Sequence, residues 1–187
     1  MRRYWTQFVL AIASAIGLLS ASAQTAMTDP ALLAKAKDGD PVAQVLVGES
    51  YAAGKGVAQD LKQAAEWYER AADKGVIAGE MHLAALYRDG GKGFSRDMAS
   101  AAAWYRKAAE QGDVTAQATL GLLYSLGQGV PKSDVEAYFW LDLAASVKGP
   151  KQEQYAANRQ AIGTHITTDE LEEVQDRAAK WQTAHRR

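Results

Sequence analysis

Apolar and small residues recur along this chain at spacings of three and four, and the same arrangement comes round three times. Ala64, Trp67, Ala71 and Ala72 form the first set, Ala101, Trp104, Ala108 and Ala109 the second, and Ala137, Trp140, Ala144 and Ala145 the third. Offsets of 0, 3, 7 and 8 lie on one face of a 3.6-residue helix, so each set predicts an amphipathic helix with a packed seam. The alanines let a neighbouring helix come close, and the indole fills the gap that remains. The tryptophans stand 37 and 36 residues apart. A period in that range, held three times, predicts a solenoid of repeated helical units.

A second pattern precedes each of these helices. Val47-Gly48-Glu49-Ser50-Tyr51, Leu83-Ala84-Ala85-Leu86-Tyr87 and Leu120-Gly121-Leu122-Leu123-Tyr124 all read as an apolar residue, a tiny one, two free positions and Tyr. Glycine-rich turns follow: Ala53-Gly54-Lys55-Gly56-Val57, Gly90-Gly91-Lys92-Gly93-Phe94 and Leu126-Gly127-Gln128-Gly129-Val130. A Gly just past a helix end supplies the left-handed conformation that other residues resist. Each unit therefore predicts helix, glycine turn, helix. First helices fall near 41–53, 77–89 and 114–126, and second helices near 60–74, 97–111 and 134–147. Asp60, Asp97 and the Ser133-Asp134 pair stand where the second helices begin, as capping residues do.

The combined pattern of apolar-Gly-x-x-Tyr, a Gly-x-Gly-Val turn, Asp, and Ala-x-x-Trp-Tyr-x-x-Ala-Ala-x-x-Gly resembles the Sel-1-like repeat (SLR), a relative of the tetratricopeptide repeat. The resemblance covers about residues 41 to 149. Unit two departs from it at Ala84, where Gly is usual, and by one inserted glycine; unit three has Leu141 where Tyr68 and Tyr105 stand. The resemblance implies an all-α, right-handed solenoid of helix-turn-helix repeats and a scaffold that binds other proteins, often in signalling or at the bacterial envelope. Its units run 40–75, 76–112 and 113–149.

The flanks read differently. Residues 1–23 combine Arg2 and Arg3, an apolar run from Phe8 to Leu19, and Ala21-Ser22-Ala23. This is the layout of a signal peptide cleaved after Ala23, with an apolar run too short for a comfortable membrane span. Residues 24–39 hold a leader and a short helix capped by Asp29-Pro30, whose tail resembles the end of a second helix from a degenerate unit. Residues 150–187 predict two capping helices. The second opens on Thr167 and Glu170, a capping box, and carries Leu171, Val174, Ala178 and Trp181 as one closing stripe. The last three residues predict a frayed end.

Charge and chemistry narrow the function. The 187 residues carry a net charge of −1, or −3 without residues 1–23, which offers no basic footprint for nucleic acid or anionic lipid. There is no cysteine, so helix stacking rather than disulfides must hold an exported chain together. His82, His165 and His185 lack a second His or a Cys at ligand spacing, which predicts no metal site. The glycine turns lack the continuation of a phosphate loop, which predicts no cofactor. These features predict a non-enzymatic scaffold, periplasmic or secreted, that adapts or regulates another envelope protein. Two alternatives are a cell-wall glycan binder or weak envelope hydrolase, and a secreted host-interaction protein.

In arrays of this kind the first helices line the concave side. Their positions outside the packing motif predict the partner-binding groove: Val42, Val45 and Glu49 in unit one, Met81, Ala85 and Arg88 in unit two, and Ala118, Leu122 and Ser125 in unit three. A shallow apolar groove with a few charges suits an extended peptide or a partner helix.

Overall fold

A computed structural model describes residues 29–185; the signal-peptide reading and the last two residues lie outside them. Nine helices fill the described residues: α1 Pro30–Lys37, α2 Pro41–Ala53, α3 Leu61–Ala72, α4 Ile77–Asp89, α5 Met98–Glu110, α6 Val114–Leu126, α7 Asp134–Ser146, α8 Gln152–Gly163 and α9 Thr168–Ala184. No strand occurs among them, only an isolated antiparallel bridge between Gly91 and Phe94. Local chemistry sets the starts. Asp60 Oδ1 accepts from the amides of Lys62 and Gln63, and Asp97 Oδ1 accepts from Ala99 and Ser100, at 2.9–3.1 Å. The Ser133 hydroxyl caps α7, and Thr167 with Glu170 forms the capping box on α9. At the other ends, Gly54 and Gly127 take left-handed conformations, with φ of 68° and 67°.

The helices pack in chain order, α2 on α3, α4 on α5 and α6 on α7 within units, with α3 on α4 and α5 on α6 between them. Two of the joints share one contact. The Gln117 amide donates to the Ala109 carbonyl at 3.2 Å, and the Gln44 amide donates to the Ala36 carbonyl at 3.1 Å. Ala36 thus takes the place of Ala109, and α1 is the second helix of a truncated leading unit. At the trailing end α8 follows α7 as a fourth first helix, held by Arg159, which donates to Asp142 at 2.6 Å. The last helix, α9, packs on α7 rather than α8. Gln175 donates to the Tyr138 hydroxyl at 3.1 Å, Arg177 pairs with Glu136 at 2.7 Å, and Val174 and Ala178 are buried. The end does not fray at His185, whose ring stacks on Trp181 at 3.9 Å between centroids.

The seam of the second helices differs from its expected form in one respect. Trp67 and Trp140 are buried, but Trp104 is only half-buried, its ring covered by the Lys107 ammonium 3.6 Å from the centroid. In every unit the next residue is buried more deeply than the tryptophan: Tyr68, Tyr105 and Leu141. It faces the tiny residue of the unit's own first helix, which explains that residue's size. A Cβ on Gly48 would stand 2.5 Å from Tyr68 Cε1, and one on Gly121 would stand 2.8 Å from Leu141 Cγ.

Candidate functional site

Side chains of neighbouring first helices reach each other where consecutive units abut, and the site is built there. Glu49, two residues before Tyr51, lies on α2; His82, five residues before Tyr87, lies on α4. Their side chains meet at 3.1 Å between Oε1 and Nε2, both close to half exposed. Beneath them the Tyr68 ring, supplied by α3, stacks nearly flat against the imidazole, 5.0 Å between centroids and 16° between planes. The missing Cβ of Gly48 makes the room in which the Tyr68 ring lies. Burial, followed by the negative charge of Glu49, pushes its hydroxyl up to about 12. Tyr68 therefore stays neutral and serves as a platform rather than a proton donor or acceptor.

A cleft of about 400 Å³ opens beside this trio, lined by Tyr68, His82, Ala85 and Leu86, with Asp89 and the backbone of Gly90 and Gly91 at one end. Unit two's inserted glycine forms that end. Gly91 and Phe94 exchange backbone hydrogen bonds at 2.9 and 3.0 Å, and Phe94 tilts onto Tyr87. Arg88 holds the lip: its guanidinium donates to both oxygens of Asp89 at 2.7 and 2.9 Å and to the Tyr105 hydroxyl at 3.0 Å. The Arg88 hydrogen bond is the leading reason the Asp89 carboxyl lies below its ordinary range. The cleft thus offers an acceptor pair, an imidazole and a small apolar wall.

Of the predicted groove residues, Ala85 lines this cleft, Glu49 reaches it through His82, and Arg88 stands beside it. Leu122, at 40% exposure, and Val42 face solvent elsewhere along the first helices, and the Ser125 hydroxyl donates to the Leu122 carbonyl at 2.9 Å. Two predicted groove residues present no surface. Val45 is 7% exposed and Ala118 4%, each turned into the core. They stand three residues along from Val42 and Thr115, about 60° round the helix, which carries them into the joint. Met81 is half-buried and packs on the central core. The sequence reading weighed His82 only as a metal ligand, and it passed over Tyr68 as part of a site. The available signal was that Glu49 and His82 occupy the two positions that face each other where consecutive units abut.

Among the described residues no three His, Cys, Asp or Glu side chains stand where they could hold a metal ion. No described helix is long and apolar enough to cross a membrane.

Comparisons with known proteins agree with this architecture. The Sel1 repeat family model matches residues 41–76, 77–113 and 114–146. The structure is similar to that of a protective antigen present in uropathogenic Escherichia coli strains and displaying an SLR fold, with a TM-score of 0.68 and 32% identity over 81% of this chain and 32% of the antigen. A Sel1 repeat protein from Oxalobacter formigenes is 32% identical with a TM-score of 0.58, over 66% of this chain and 92% of that one. Cysteine-rich protein B of Helicobacter pylori shares the fold at 20% identity and a TM-score of 0.50, over 66% of this chain and 92% of its own. No curated protein matches the sequence. The chain spans about a third of the length of the Escherichia coli antigen.

Proposed function

The chain belongs to the Sel1 repeat family, whose members are generally protein–protein interaction scaffolds and typically non-catalytic, and we propose that it binds an envelope protein along the seam of its first helices. The observation that carries this reading is the cleft at the Glu49–His82 pair. There the repeat geometry leaves polar groups from two units exposed above a floor of buried residues, Tyr68, Ala71 and Leu83. The partner segment is an extended peptide or a helix edge, with a small apolar residue against Ala85 and a donor toward Glu49. Leu122 supplies a second, apolar anchor one unit further on. The role is that of an adaptor or regulator, and the Arg2-Arg3, apolar-run and Ala21-Ser22-Ala23 sequence supports export with cleavage after Ala23, to the periplasm or beyond it.

The test is recovery of partners on immobilised protein. Wild type is compared with a Glu49→Lys/Leu122→Glu variant whose helical circular dichroism and melting match wild type. Loss of the same bound bands from the variant supports the seam. Undiminished recovery refutes it.

A second reading has one observation in its favour. The Escherichia coli relative is a protective antigen, which suits a protein that meets a host outside the cell. Fractionation of the producing bacterium separates the two: retention in the periplasm supports the envelope role, and release to the medium supports the host-facing one.

A further inference from the structure

The fourth residue of each first helix carries the contact that joins one unit to the next, and one of the three is of a different chemical kind. In α2 it is Gln44 and in α6 it is Gln117; both amides donate to a carbonyl in the last turn of the preceding second helix, at Ala36 and Ala109. In α4 it is Glu80, only 3% exposed. The repeat register gives it the Ala72 carbonyl as the equivalent acceptor. That end of α3 packs tightly on α4 at this point: a Cβ on Gly79 would come within 2.9 Å of Ala71 Cβ, Ala72 N and the Tyr68 carbonyl.

An ionised carboxylate has no proton to donate, so it sets two acceptors against each other in a dry joint. A neutral acid has one. Its carbonyl oxygen still accepts from Gln111, whose amide reaches Glu80 Oε2 at 2.8 Å, while its hydroxyl is free for Ala72. We infer that Glu80 makes the joint between units one and two proton-sensitive: protonated, it donates to the Ala72 carbonyl as Gln44 and Gln117 do at their joints; ionised, it leaves that carbonyl with the Gly75 amide alone.

The charged groups acting on Glu80 come from α5: Lys107, which favours ionisation, and Glu110, which opposes it. The face of α3 that meets α4 here contributes backbone and alanine. Burial is the largest influence, and it holds the Glu80 carboxyl above the ordinary glutamate range. A raised acid stabilises the fold in full below its unfolded-state value, and that contribution is lost as pH rises through the folded-state value. Acidification therefore tightens this joint and leaves the Gln117 joint unchanged. The same joint carries the Glu49–His82 cleft, so its opening is felt at the candidate site.

The experiment is urea denaturation of the full chain across a pH series, comparing wild type with Glu80→Gln. The amide of the variant donates at every pH. The expected result is a wild-type folding constant that falls behind the variant as pH rises through the Glu80 titration, with a slope approaching tenfold per pH unit, the limit for one proton. Gln117→Glu should transplant the same dependence to the other joint. A wild-type-to-variant ratio that is flat with pH, or that moves the other way, overturns the inference. Where Glu80→Gln fails to fold, the carboxyl carbon of Glu80 is titrated by NMR in wild type. A midpoint above that of ordinary glutamate supports the inference, and one at or below it overturns it.

Discussion

Removing Tyr105 should weaken the array more than removing the tryptophan beside it, although Trp is the larger residue and the more obvious repeat signature. Full burial of an aromatic side chain removes about 150–250 Å² from water, or about 4–6 kcal/mol as an upper bound. Tyr105 is 2% exposed, so Tyr105→Ala opens a cavity between α4 and α5 and strands the Arg88 donor as well. We expect a cost of about 4–5 kcal/mol. Trp104 is half-buried and shielded on one face by Lys107, so Trp104→Ala should cost about 2–3 kcal/mol. Tyr105→Phe, which removes only the hydroxyl, isolates the hydrogen bond at about 1 kcal/mol. Urea denaturation followed by far-ultraviolet circular dichroism measures all three, provided the slopes agree with wild type. A Trp104→Ala loss equal to or greater than that of Tyr105→Ala would refute the placement of the core on the residue after the tryptophan.

Four further outcomes follow from the same structure. Gly129→Ala should be far more damaging than Gly93→Ala: both have φ near +75°, but a Cβ on Gly129 would collide with the Met98 carbonyl at 1.9 Å, whereas Gly93 has open space; Gly93→Ala should cost about 1 kcal/mol by thermal melting and Gly129→Ala should prevent a cooperative transition. Gly48→Ala should destabilise by about 1–3 kcal/mol despite the better helix propensity of Ala, because the methyl meets the Tyr68 ring. Asp97 is held below the ordinary aspartate range by the Ser100 hydroxyl and backbone amides; its capping contribution is present above the unfolded aspartate value and lost as pH falls through the lowered folded value, so Asp97→Asn should flatten that part of the acid-melting profile. N-terminal sequencing of the exported protein should begin at Gln24, and an intact Met1 would contradict cleavage after Ala23.

The fold was readable because helical periodicity, capping residues and turn glycines are local, and in this chain they agree. Asp60 and Asp97 cap the helices they precede, and Thr167 with Glu170 closes the box on the last one. Depth was less readable. Nothing within Ala101–Ala109 says that Trp104 lies toward the surface and Tyr105 under α4, because that depends on the angle at which units stack. Exposure along the first helices was hard to read for a related reason. Counting from each tyrosine finds their outer face, but the exposed arc is narrow, and a step of three residues turned Val45 and Ala118 inward. His82 was hidden because its partner, Glu49, belongs to the preceding unit, 33 positions away in the chain. Glu80 was equally silent until the amides of Gln44 and Gln117 showed what its position does.

The account's central claim is that the seam of first helices grips another chain, and site-specific photocrosslinking in the producing cell tests it most directly. A photoreactive residue replaces Ala85, in the cleft, or Glu66, exposed on the second helix of unit one. The account predicts a discrete crosslinked partner from position 85 that Glu49→Lys abolishes, and none from position 66. Equal adducts from both positions, or a partner captured only from position 66, would contradict it.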